Sequence, residues 1–255
     1  MVAIIRLRHV AACSAALLVA LVWSSLNAMT ITPVVIDMTS IGRESTAAIN
    51  VWNGEARPLP IEIVVFRLEL DENAEQERTL AGDEWLVFPP QALIPPGRTQ
   101  VFRIQWLGEP ELPASQSYIF SVNQLPVQLP EGTSAIQLVY NFAVPVSVAP
   151  PAGEPQLRLA ELSLQRNEEG VVNPVLLVEN SGNVHGYLSG ATLDLTLRDA
   201  SGAEVWSTSL QAREVGNLSG LGLIQPGKRR RFVLPVELPE SGTRLEGGIR
   251  YVGRR

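Results

Sequence analysis

Ala135-Ile136-Gln137-Leu138-Val139-Tyr140-Asn141-Phe142-Ala143-Val144-Pro145-Val146-Ser147-Val148 sets a large apolar side chain at every even position and a small, polar or modest one at every odd position. A period of two is the signature of a half-buried β-strand, because successive side chains leave opposite faces. One face of this strand is therefore a continuous apolar stripe. Packing into a domain core accounts for part of it, as for any strand with one solvated face. The stripe nevertheless exceeds a usual strand of about 5 to 6 residues, and Pro145, which has no N–H, suits a sheet edge better than a sheet centre. An overlong apolar edge strand invites pairing with another chain.

The rest of the chain has the same character. Alternating stretches recur at Thr30 to Met38, Ala47 to Val51, Ile61 to Leu70, Glu84 to Phe88, Val101 to Trp106 and Tyr118 to Leu125, and again at Gln156 to Leu164, Pro174 to Val178, Ala191 to Arg198, Arg231 to Val236 and Gly248 to Val252. Most are bounded by Gly, Pro, Asn or Asp, so they read as strands and turns, and the fold class is all-β. Ala149-Pro150-Pro151-Ala152-Gly153-Glu154-Pro155 separates the two series with the composition of a stiff linker. With 255 residues in all, the expectation is two β-sandwiches in tandem, over 29–150 and 156–255.

The halves also share phrases in the same order. Leu93-Ile94-Pro95-Pro96-Gly97-Arg98 answers Leu223-Ile224-Gln225-Pro226-Gly227-Lys228, and Ile49-Asn50-Val51-Trp52-Asn53 answers Leu176-Leu177-Val178-Glu179-Asn180. Pro226 follows Pro96 by 130 residues and Asn180 follows Asn53 by 127. Two phrases at nearly equal offsets argue for two related sandwiches.

Residues 1–28 differ from everything after them. Arg6, Arg8 and His9 precede an apolar run from Val10 to Val22, which gives way to small and polar residues up to Ala28. That is the pattern of a secretory signal, with cleavage expected after Ala28; the run falls short of the about 20 residues of a membrane span. Export to the periplasm follows, without stable membrane insertion. The single cysteine, Cys13, lies inside the signal, so the mature chain is expected to have no disulfide. Removing Arg6 and Arg8 from the 20 basic residues leaves 18 against 26 acidic ones, a formal charge of −8 in place of −6. Such a surface favours neither nucleic acid nor anionic lipid.

Little in the sequence points to catalysis. The mature chain has one histidine, His185, in a turn-like setting between two strands, and no nucleophile-elbow pattern accompanies it. No spacing supports a metal site, and no cofactor is implied. Asp71, Glu72, Glu75 and Glu77 read as a solvated hairpin end, and Lys228 to Arg231 as a basic run on a strand with no ligand.

Three segments resemble one family. Leu86-Val87-Phe88-Pro89-Pro90 followed by Leu93 to Gly97 and Phe102-Arg103-Ile104, then Leu112-Pro113 through Tyr118-Ile119-Phe120 to Leu125-Pro126, then Ile136 to Val148 with Val144-Pro145-Val146, are similar in order and spacing to the periplasmic chaperones of the chaperone-usher pilus pathway, in their archaic, spore-coat-like form. The likeness runs from about Thr30 to Pro151, and the second half is more divergent. It implies two immunoglobulin-like domains and donor-strand complementation, in which the chaperone lends a strand to a pilin-like subunit, with an outer-membrane usher as the second partner. Ile136, Leu138, Tyr140, Asn141 and Phe142 are the residues this resemblance places against the subunit. The family anchors the subunit's terminal carboxylate with two basic residues; the positions that match here are Val35 and Asn141, so an arginine such as Arg43 or Arg103, a neutral hydrogen bond from Asn141, or the strand alone would have to serve. The rival reading is a structural or adhesive surface protein built from the same modules.

Overall fold

The computed structural model describes residues 29–126 and 139–253. Residues 29–148 enclose one hydrophobic core and residues 172–245 a second, so the tandem of two β-sandwiches is observed. No helix among the described residues is long and apolar enough to cross a membrane.

In the first sandwich, β1 (Thr30–Thr32), β3 (Thr46–Trp52), β8 (Thr99–Trp106) and β6 (Trp85–Phe88) make one sheet in the order β1-β3-β8-β6. The facing sheet runs β2-β10-β9-β4-β5, from β2 (Ile36–Thr39), β10 (Asn141–Ala149), β9 (Gln116–Gln124), β4 (Leu59–Leu70) and β5 (Gln76–Leu80), and β7 (Gln91–Ile94) adds to β4. Their inner faces follow the period of two: Phe102, Ile104 and Trp106 of β8 point inward between exposed neighbours, toward Tyr118, Phe120 and Val122 of β9. Trp85 packs edge-on against Trp106, Tyr118 and Phe120 with ring centroids 4.8 to 5.2 Å away, an arrangement that aromatic quadrupoles favour.

The second sandwich sets β11 (Leu157–Arg166), β12 (Val172–Asn180) and β17 (Arg229–Val233) against β15 (Glu204–Leu210), β14 (Ala191–Asp199) and β18 (Gly242–Tyr251). A short pair, β13 (Gly186–Tyr187) with β16 (Leu223–Ile224), stands beside them, and one helix, α1 (Ala212–Ser219), buries Val215 against this core. The Gln211 N–H donates to Glu214 Oε2 at 2.8 Å, a reciprocal cap that starts the helix.

The internal repeat has a physical basis. Asn53 is fully buried; its amide donates to the carbonyls of Arg57 and Ile94, both at 2.8 Å, and its carbonyl oxygen accepts the Glu55 N–H. Asn180, also fully buried, donates to the carbonyls of Val184 and Ile224 at 2.8 and 3.1 Å and accepts the N–H of Gly182 and of Gln156. In each domain the backbone of the same asparagine then pairs with the Pro-Gly turn: Gly97 N–H to Asn53 C=O and Asn53 N–H to Arg98 C=O in the first, Gly227 N–H to Asn180 C=O and Asn180 N–H to Lys228 C=O in the second. Gly97 and Gly227 take φ of 67° and 69°, the left-handed conformation that glycine enters without steric cost. Each asparagine thus satisfies carbonyls that burial would otherwise leave unpaired.

Candidate functional site

β10 is paired unevenly. Along all but its last residue it runs antiparallel to β9, from Asn141 opposite Asn123 to Val148 opposite Gln116. On its other side it pairs with β2 in parallel, but only from Val146 opposite Ile36 to Ala149 opposite Thr39. Among the described residues no strand covers the Asn141–Pro145 half of that edge.

The orientation of the free groups follows from the ladder. The Gln124 N–H donates to the Tyr140 carbonyl at 2.9 Å. Hydrogen-bonded pairs alternate along an antiparallel ladder, so Phe142 and Val144 also turn their backbone groups toward β9, while Asn141 and Ala143 turn theirs outward. Ser40 N–H donating to the Ala149 carbonyl agrees, since odd positions face the β2 side. Pro145 is odd too. Its missing N–H would have pointed to β2, which explains why the β2 ladder stops there and why proline costs nothing in this strand.

The apolar stripe divides at the same place. Val144, Val146 and Val148 are buried in the core, whereas Phe142 is 38% and Tyr140 44% exposed on the continuation of the same face. Core packing claims the stripe from Val144 onward and leaves Tyr140 and Phe142 half-exposed. Of the residues the sequence singled out, Tyr140, Asn141 and Phe142 thus stand together at an edge that no described strand pairs; Ile136 and Leu138, like residues 1–28, lie outside the described residues.

The basic residues are placed elsewhere. Arg103 is exposed on β8, in the other sheet, where it lines a hollow of about 450 Å³ with Ala48, Leu86 and Phe88. Arg43 stands in a one-turn 3-10 segment, Gly42–Ser45, with its carbonyl accepting the Thr46 hydroxyl. Val35 is partly buried just before β2, and Asn141 is exposed.

His185 is more than a turn residue. It is buried between the domains, with Nε2 3.2 Å from Asp37 Oδ1 and Nδ1 3.0 Å from Ser115 Oγ, while Tyr187 donates to Asp37 at 2.6 Å. A serine, a histidine and an aspartate in that order suggest nucleophilic catalysis on paper. Here the Ser115 hydroxyl oxygen also accepts the His185 backbone N–H at 3.1 Å. The group works as an interdomain clasp, with the imidazole wedged in a protein–protein contact. The sequence could not show this, because Asp37 and Ser115 lie 148 and 70 residues away from it.

The two charge runs also meet each other. Lys228 Nζ is 3.5 Å from Glu69 and Arg229 3.1 Å from Glu72, and the Arg231 N–H donates to the Glu72 carbonyl at 2.7 Å. The expected solvated hairpin end and ligand-free basic run are the two sides of one interdomain contact. Between this contact and the clasp lies a small apolar cluster of Leu68, Leu70, Ile119, Tyr187 and Leu223.

No protein-family model and no curated protein matches the chain in sequence. Solved structures do match it. A chain from a structure of a chaperone-tip adhesin complex in CFA/I fimbriae biogenesis superposes with a TM-score of 0.51 at 15% identity, covering 86% of this chain and 98% of that one. The class 5 fimbriae chaperone CfaA does so with a TM-score of 0.51 at 16% identity and the same coverage of both chains, 86% and 98%. A chain from the CsuC-CsuE chaperone-tip subunit pre-assembly complex of the archaic Csu pili of Acinetobacter baumannii gives 0.50 at 16% identity, again over 86% and 98%. The chain has the two-domain immunoglobulin-like fold of these proteins.

Proposed function

We propose that this chain is a periplasmic assembly chaperone, exported by residues 1–28, that binds pilin-like subunits by lending them the first half of β10 and passes them to an outer-membrane usher. The observation that carries this reading is the Asn141–Pro145 edge, which no described strand pairs, with Tyr140 and Phe142 exposed beside it. Strand addition, the way pilus chaperones complement pilins, needs those two things together: free backbone groups for the ladder and alternate side chains for the partner's groove. The fold agrees with it, being that of CfaA, a fimbriae chaperone, and of a chain in a complex of a chaperone with a tip subunit. The chain works by binding and not by catalysis, and it needs no cofactor. A subunit's carboxylate is held without a basic pair at Val35 and Asn141, by the ladder and by the Asn141 amide.

The test is the double variant Tyr140→Asp with Phe142→Glu, co-expressed with pilin-like subunits from the same genome. Both side chains are half-exposed, so the melting transition of the free protein stays within about 1 kcal/mol of the parent, as surface substitutions usually do. Subunit co-purification falls by about 100-fold or more. Undiminished co-purification rejects the reading.

A further inference from the structure

The shared phrase of the two domains differs at one central position. Leu93-Ile94-Pro95-Pro96-Gly97 has a proline where Leu223-Ile224-Gln225-Pro226-Gly227 has Gln225, 130 residues later. Pro95 is exposed, and Gln225 is buried, 6% accessible. Both residues close the same turn, since the Arg98 N–H donates to the Pro95 carbonyl and the Lys228 N–H to the Gln225 carbonyl, each at 3.2 Å. The side chain at this position is therefore free to differ without altering its own domain, and in the second domain it crosses to the first.

There it meets the end of β4. The pairing of β4 with β9 ends at Arg67 opposite Tyr118, so the backbone of Leu68 and Leu70 has lost its strand on that side. The Gln225 amide fills the gap: Nε2 donates to the Leu68 carbonyl at 2.8 Å, and the Leu70 N–H donates to Oε1 at 2.9 Å. One donor and one acceptor two residues apart on a strand edge are what a neighbouring strand would satisfy. A primary amide is the side chain that can present both complements at once. Leu68 and Leu70 themselves are buried in the interdomain cluster with Leu223, two residues before Gln225.

We propose that Gln225 is a surrogate strand residue by which the second domain completes the first domain's sheet, and that it thereby fixes the angle at which the second domain faces the β10 edge. It is a positioning residue for subunit capture, and that part of the inference rests on the function proposed above. β9 is the link: it carries the β10 ladder, and Ile119 on its outer face packs in the same interdomain cluster.

The test uses the full mature chain without a subunit first. Gln225→Met keeps the length and removes both hydrogen bonds. The Leu70 amide should then exchange with deuterium about 100-fold faster, and the distance distribution between spin labels at Thr99 and Ser201 should broaden. Gln225→Glu at pH 7 keeps an acceptor for the Leu70 N–H but sets a carboxylate against the Leu68 carbonyl, so its distance distribution should broaden and should return toward the parent, measured at the same pH, once its carboxyl is protonated, because a carboxylic acid again offers one donor and one acceptor. Unchanged Leu70 exchange in Gln225→Met, or no recovery of Gln225→Glu on protonation, overturns the ladder role. Capture of a pilin-like subunit by Gln225→Met should fall about tenfold; equal capture with a broadened distribution overturns the positioning role and leaves the ladder. A parent chain that captures no subunit overturns the function reading and the positioning role together, while the exchange and distance measurements still decide the ladder.

Discussion

Tyr118 stands at the closed end of the first core, fully buried beside Trp85 and Trp106, with its hydroxyl 2.8 Å from Glu84 Oε2. Burial pushes its phenol above the usual tyrosine range, the hydrogen bond to the Glu84 carboxylate adds to the shift, and Arg67, 3.3 Å from the hydroxyl, offsets only part of it. The folded state then holds a proton that the unfolded state gives up above pH ~10, so this contribution to stability is complete below that pH. As the pH rises further it is lost at about 1.4 kcal/mol per unit. Denaturant melts of the parent should weaken above pH ~10, and Tyr118→Phe should remove most of that slope; a slope that survives the substitution would show that other groups carry it. The sequence offered Tyr118 only as part of an apolar run. The two asparagines were more legible, because Asn53 and Asn180 recur beside matched turns, yet repetition could not say that each amide holds two carbonyls, one of them buried. Those contacts close over 41 and 44 residues, a separation that local pattern does not encode.

At the scale of the strand, alternation from Ala135 to Val148 was enough to predict one apolar face and a preference for an edge. What alternation cannot show is where the core ends, since Phe142 and Val144 are equally apolar and only the neighbouring strands decide that one is exposed and the other buried. Pro145 marked the boundary in the sequence: it is the last position before β2 pairs with β10. The same logic yields a variant that separates the strand's two duties. Ala143 turns its N–H outward, so Ala143→Pro removes a donor that no described strand uses, in an extended conformation that proline tolerates. The isolated protein should melt within about 1 kcal/mol of the parent, while subunit binding measured by co-purification falls at least tenfold. A large loss of stability would mean that the Ala143 N–H is already paired within the chain.

For the whole molecule the question is which interdomain contact sets the arrangement of the domains. β4 shows how the apolar part arises: Leu59, Ile61, Ile63 and Val65 alternate into the first core, then the buried set changes parity to Leu68 and Leu70, which turn to the opposite face and meet the second domain. Ile119, between the core residues Tyr118 and Phe120, does the same on β9. A residue buried on the outer face of a sheet was visible in the sequence only as broken alternation, and its partner domain was not visible at all. The ion pairs looked like separate solvated runs because nothing local joins Glu69 and Glu72 to Lys228 and Arg229. Magnitudes decide between the two kinds of contact. Lys228 and Glu69 are 51% and 52% exposed at the side chain and Arg229 and Glu72 55% and 41%, so water and salt screen both pairs, and each contributes about 0 to 1 kcal/mol. Leu70 is 8% exposed, and truncating such a side chain costs about 2 to 4 kcal/mol. Urea denaturation should therefore find Lys228→Ala with Arg229→Ala less costly than Leu70→Ala alone, with the difference widening slightly at about 0.5 M salt, where the ion pairs count for less. If the charge variant proves the more damaging, or if salt alone separates the two unfolding transitions, electrostatic attraction and not the buried cluster holds the domains together.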